Sequence, residues 1–110
     1  MPGLTESERK AVDDLAARLR LRLGDRLVEV RIYGSKVRET DHAGSDIDLV
    51  VIVEQHTPEA REQVFTEVSS VILDYDVPLD VHVMDRLQLR RLQRLGSPYV
   101  ATIREEGVGL

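Results

Sequence analysis

The chain has 110 residues, of which 42% are hydrophobic and 32% charged, and it carries no cysteine and a formal net charge of −5. That length and apolar share predict one domain, residues 1–110, around a single core, and the missing cysteines exclude disulfides, thiolate zinc sites and cysteine nucleophiles, so any metal is held by oxygen or imidazole. A pI near 5.2 argues against an extended nucleic-acid surface, since affinity for polyphosphate comes mainly from Lys and Arg, and with no membrane-length apolar run or signal segment the sequence predicts a cytoplasmic protein with no membrane partner.

In chain order, Thr5 followed by Glu8 forms a capping-box signature, and Val12, Leu15, Ala16, Leu19 and Leu23 keep helical spacing until Gly24, so a helix is expected over about 5–23. Arg18, Arg20 and Arg22 lie mostly off that stripe and are expected on a solvated face. Leu27, Val28, Val30, Ile32 and Tyr33 make a β-branched run ending at Gly34, which predicts a strand over 27–33. Gly34-Ser35 then opens a short helical turn, Ser35 to Glu39, followed by a polar loop, Thr40 to Ser45. A second strand is expected from Ile47 to Val53; it is apolar without alternation, as in a strand covered on both faces. Thr57-Pro58 caps a helix with the stripe Ala60, Val64, Phe65, Val68, Val71, Ile72 and Tyr75. Pro78 ends it. Leu79, Val81 and Val83 alternate with Asp80, His82 and Met84 in a third strand, Asp85 caps a helix of about 86–95, and Ser97-Pro98 starts another reaching about Glu106.

The stretch from Tyr33 to Val53 has unusual residue choices at tight spacing. Gly34-Ser35 ends one apolar run, ten residues follow, and Asp46-Ile47-Asp48 opens the next. Strand side chains alternate faces, so Asp46 and Asp48 project together from Cα atoms about 7 Å apart. That spacing suits a pair of divalent cations, which sit roughly 3.5–4 Å apart in two-metal phosphoryl-transfer sites. Free N–H groups at a helix start bind phosphate, and glycine allows close approach to the backbone.

On these residues the chain resembles the minimal nucleotidyltransferases of the DNA polymerase beta superfamily, whose pattern is Gly-Ser, ten residues, then Asp-x-Asp. The L-D-V-H-V segment at 79–83 supplies Asp80 where that family has a third carboxylate, and I-R-E-E-G-V at 103–108 resembles its closing helix and turn. The resemblance implies an α/β (α+β) nucleotidyltransferase fold: a small mixed sheet of at least three strands flanked by helices. If Gly34-Ser35 meets Asp46 and Asp48, strands one and two run antiparallel, and strands two and three run parallel through the helix at 58–75.

The resemblance further implies that Asp46, Asp48 and Asp80 are catalytic and hold two Mg²⁺ ions. It implies that Gly34, Ser35, Lys36, Arg38 and Ser45 bind the nucleotide, ATP being the expected substrate, and that Asp80 takes the acceptor's proton. Chains this small resemble antitoxins of toxin–antitoxin pairs, whose partner is a helical HEPN-type RNase and whose acceptor is a tyrosine on it. Lys36 and Glu39 depart from the Gly-Ser-Arg-x-Arg-Gly form of other members. A non-catalytic module neutralising a partner by contact, and a small-molecule nucleotidyltransferase, remain open alternatives. His82 is the one histidine placed to line the cleft, with a structural role expected, and Arg86, Arg90 and Arg94 share a helical face expected to be solvated, ion-paired or in contact with an acidic partner.

Overall fold

The computed structural model describes residues 3–34 and 46–110. The expected turn over Ser35–Glu39 and the loop Thr40–Ser45 lie outside the described residues. The strands are β1 (Leu27–Tyr33), β2 (Ile47–Val53), β3 (Leu79–Asp85) and β4 (Val108–Gly109); the α-helices are α1 (Glu6–Leu23), α2 (Pro58–Tyr75), α3 (Arg86–Arg94) and α4 (Pro98–Glu106). The sheet order is β3-β2-β1-β4, with β1 antiparallel to β2 and β4, and β2 parallel to β3. The directions of β1, β2 and β3 are those the sequence predicts. Among the described residues no helix is long and apolar enough to cross a membrane.

Local chemistry sets the helix ends. Thr5 Oγ1 accepts from the Glu8 N–H at 3.1 Å while Glu8 Oε1 accepts from the Thr5 N–H at 2.9 Å, so two otherwise orphaned donors at the start of α1 are satisfied reciprocally. Gly24 stops the helix at φ 56°, a left-handed value that suits a residue without Cβ. At the start of α2, Thr57 Oγ1 accepts from the Ala60 N–H at 3.1 Å and Pro58 stands where its missing N–H costs nothing.

Strand alternation divides the core in two. Ile47, Leu49, Val51 and Val53 of β2 pack with Leu15 and Leu19 of α1 and Val64, Val68 and Val71 of α2. Val50 and Ile52 face the other way, into a smaller cluster with Tyr33, Met84 and Ile103, closed by Leu89, Leu92 and Tyr99. Thus β2 is buried on both faces, which explains its apolar run, and each fully buried Val, Leu or Ile there contributes about 1.5–3 kcal/mol. A register slip between Leu27 and Glu29 lets Val28 join the smaller cluster while Val30 and Ile32 face α1.

Two elements differ from expectation. The two-residue β4 pairs with Arg31 and Ile32 at the sheet edge, and it is too short to carry a strand signal of its own. Arg18 is not simply solvated: its guanidinium donates to Ser70 Oγ at 3.0 Å, to Asp14 Oδ2 at 2.9 Å and to Asp74 Oδ2 at 2.9 Å, and the Tyr75 hydroxyl donates to Asp14 at 2.8 Å. This network ties α1 to α2 at the rim of the larger core, and its hydrogen bonds raise the Arg18 pKa and lower that of Asp14.

Candidate active site

The sheet register brings the carboxylates together. Tyr33 of β1 is paired with Asp48 of β2, and Asp48 with Asp80 of β3. Register partners share a face, so Tyr33, Asp48 and Asp80 form one row across three strands, with adjacent strands about 4.8 Å apart. The next row is Arg31, Val50 and His82. Asp46, exposed, stands just before β2, near enough for its charge to act on Asp48. The start of the parallel pair β2 and β3 therefore carries Asp48 beside Asp80, with Asp46 preceding them in the chain.

Asp48 carries the electrostatic strain of this arrangement. Partial burial raises its pKa first, and the Asp80 charge, a hydrogen bond with the Asp80 carboxyl and the Asp46 charge raise it further. Asp80 Oδ1 lies 3.5 Å from His82 Nε2, and since both side chains are half-exposed the pair contributes little to stability. Gly34, the residue after β1, serves the same carboxylate. Its φ is +85°, and a Cβ there would stand 2.4 Å from Asp48 Oδ2, so the space a side chain would fill is occupied by Asp48. Glycine is thus required twice over, by its left-handed backbone and by its neighbour.

Two tyrosines, not anticipated as site residues, wall the row. The Tyr33 and Tyr99 hydroxyls share a hydrogen bond at 3.1 Å, their rings meet edge to face at 5.7 Å, and Tyr99 makes a similar contact with His82 at 5.9 Å. Tyr99 therefore reaches from β1 to β3 over Val50, sealing the inner side of the carboxylates. Burial raises both phenols above their ordinary range, so they stay protonated. Tyr33 had a sequence signal, its place just before Gly34 in phase with Asp48; Tyr99 had none, because its position depends on how α4 crosses the sheet.

Ser35, Lys36, Arg38 and Ser45, together with His42, lie outside the described residues. Of the other histidines, His56 is fixed by structure: its N–H donates to Asp85 at 3.1 Å and its ring bonds Gln88 at 3.0 Å. Among the described residues no group of three His, Asp or Glu side chains stands ready-made for a metal. The donor chemistry at Asp48 and Asp80 nevertheless suits a hard divalent cation: partial burial and the neighbouring Asp80 carboxyl raise the pKa of Asp48, a cost that a bound cation would relieve. Mg²⁺ is commonly held by one or two carboxylates with water and substrate phosphate completing its shell. Two hollows of about 310 Å³ lie elsewhere among the described residues, one between α3 and α4 and one beside Thr57.

A family model described as nucleotidyltransferase domain matches residues 12–107. Among solved structures, one described as a toxin–antitoxin with AMP-PNP is 23% identical over 88% of this chain and 70% of its own, with a TM-score of 0.53. Another, an MntA–HpeT toxin–antitoxin mutant with two Asp→Glu substitutions, is 19% identical over 88% of this chain and 70% of its own, with a TM-score of 0.52. At these identities the likeness is one of fold. No curated protein sequence matches.

Proposed function

We infer, for a chain that belongs to the nucleotidyltransferase domain family, that the Asp46, Asp48 and Asp80 end transfers a nucleotide, AMP from ATP, to a hydroxyl group. The observation that carries this reading is the row Tyr33–Asp48–Asp80 at the start of the parallel pair, with Asp46 one step outside it. Asp46, Asp48 and Asp80 would hold two Mg²⁺ ions, which when bound neutralise phosphate charge and orient the reacting oxygens. Gly34, Ser35, Lys36, Arg38 and Ser45 would bind the triphosphate. Asp80, half-exposed beside His82, accepts the acceptor hydroxyl's proton as that oxygen bonds to the α-phosphorus; the bond from the α-phosphorus to the bridging oxygen breaks and pyrophosphate leaves. Tyr33 and Tyr99 keep water from the inner side of the row.

The acceptor is proposed to be a tyrosine on a separate, helical HEPN-type protein, with this chain acting as its antitoxin. Two structures of similar fold support this: both are toxin–antitoxin assemblies, one holds AMP-PNP, and the other was altered at two aspartates spaced like Asp46 and Asp48. A second reading is neutralisation of the partner by contact alone, without transfer. Co-expression with the adjacent gene's product, then ATP and Mg²⁺, separates the two. Mass spectrometry of the partner is expected to show added AMP that vanishes with Asp46→Asn; a tight complex without added mass supports contact alone.

A further inference from the structure

Charge in this chain is strongly segregated. Residues 86–104 contain five arginines (Arg86, Arg90, Arg91, Arg94 and Arg104) and no acid, so the remaining residues, with ten Lys and Arg against twenty Asp and Glu, carry −10. Most of the positive set lies on α3, whose Leu89 and Leu92 turn toward the sheet. At about 100° per residue, Arg86, Arg90 and Arg94 form one outward line and Leu87, Arg91 and Leu95 the next. Arg86 is paired with Glu54 at 3.2 Å, and Arg104 donates to Gln93 at 2.6 Å. Among the described residues Arg90, Arg91 and Arg94 have no ion pair, and the two leucines between them are 56% and 76% exposed.

Beside this face is the hollow of about 310 Å³ between the end of α3 and α4, floored by Val100 and Ala101, flanked by Gln93, Gly96 and Arg104, and ending at Glu105. Arginines, exposed leucines and an apolar-floored groove thus adjoin one another. Helix α4, which lines this groove on its outer side, carries Tyr99 on its inner side, in contact with Tyr33 and His82.

We propose that the α3 face and the α3–α4 groove dock an acidic, amphipathic segment of the acceptor protein, its carboxylates on Arg90, Arg91 and Arg94 and its apolar side chains on Leu87, Leu95 and the groove. This rests on the reading that the acceptor is a separate protein. A protein segment fits better than nucleic acid: the −10 carried elsewhere repels a polyanion, and exposed leucines gain nothing from phosphate. Unpaired arginines around apolar contacts are the composition in which binding energy concentrates at protein interfaces.

The test uses the full chain and the co-expressed product of the adjacent gene, with affinity measured by calorimetry at two salt concentrations. Arg90→Glu/Arg91→Glu/Arg94→Glu and, separately, Leu87→Ser/Leu95→Ser are expected to weaken binding by about tenfold or more, the first also flattening its salt dependence. Leu21→Ser/Leu73→Ser, exposed on α1 and α2, is expected to change nothing. Asp46→Asn is expected to bind as well as the unaltered chain while transferring no AMP, so a failure of the transfer reading leaves the docking result interpretable. Unchanged affinity in both α3 variants, equal loss in the Leu21/Leu73 control, or no complex at all overturns the proposal. So does an effect confined to self-association, which would assign the face to a second copy, or to a 20-nucleotide single-stranded RNA probe.

Discussion

Folding draws Asp48 partly out of water and sets it beside Asp80, so its carboxyl group costs more to ionise in the folded chain than in the unfolded one. Between its ordinary value of 3.8 and the raised folded value, the folded chain therefore binds more protons, and stability falls as pH rises through that interval. Asp48→Asn removes this penalty: in EDTA at neutral pH the variant is expected to be as stable as the unaltered chain or more so, with the difference vanishing below about pH 4, as read from urea midpoints. A variant clearly less stable at neutral pH would make Asp48 a structural residue. Gly34→Ala runs the opposite way, since its Cβ meets Asp48 Oδ2 in a left-handed backbone; it is expected to cost about 1–3 kcal/mol and to weaken nucleotide binding. Unaltered stability there would show that the chain relaxes around the site. The pairing of Asp48 with Asp80 follows from strand period and register, whereas Asp80 was marked as a site candidate only by the family resemblance. Tyr99 could not be read in advance, since nothing within α4 announces which strands it will touch.

At the scale of elements, the punctuation was legible. Thr5 with Glu8, Gly24 and Thr57-Pro58 fix boundaries through local hydrogen bonds and backbone limits, and α2 ends on the left-handed Asp76, so α1, α2, β1 and β2 lie where the sequence predicts. What stayed hidden depends on distant partners: β4 exists only by pairing with β1, and Arg18 finds Ser70 and Asp74 only once α1 and α2 are side by side. Helix α3 shows how a cap matters when packing is thin, for none of its residues is fully buried. Asp85 accepts from the Gln88 N–H at 2.8 Å and from the His56 N–H at 3.1 Å, joining the start of α3 to the turn after β2. Burial raises its pKa, but these hydrogen bonds outweigh that and leave it lowered. Its stabilisation is therefore present above the ordinary carboxylate value and lost as pH falls through the folded one. Asp85→Ala is expected to cost about 1–2 kcal/mol at neutral pH, with the loss narrowing below about pH 4; a cost independent of pH would show that the charge is irrelevant to the cap.

For the molecule as a whole, the helices on the two faces do different work. Helices α1 and α2 bury the larger core and hold β2 in place, while α3 and α4 complete the smaller core, wall the carboxylates through Tyr99 and present the arginine face. One layer supplies stability and the other supplies a site and a surface beside it. We propose that the carboxylate end is a metal-dependent nucleotide site, because aspartates facing a triphosphate without a cation would repel it. The most direct test is calorimetric titration of ATP into the chain in millimolar Mg²⁺ and in EDTA, for the unaltered protein and for Asp48→Asn. Binding is expected only for the unaltered chain with Mg²⁺; equal ATP affinity in EDTA, or in Asp48→Asn, would contradict it.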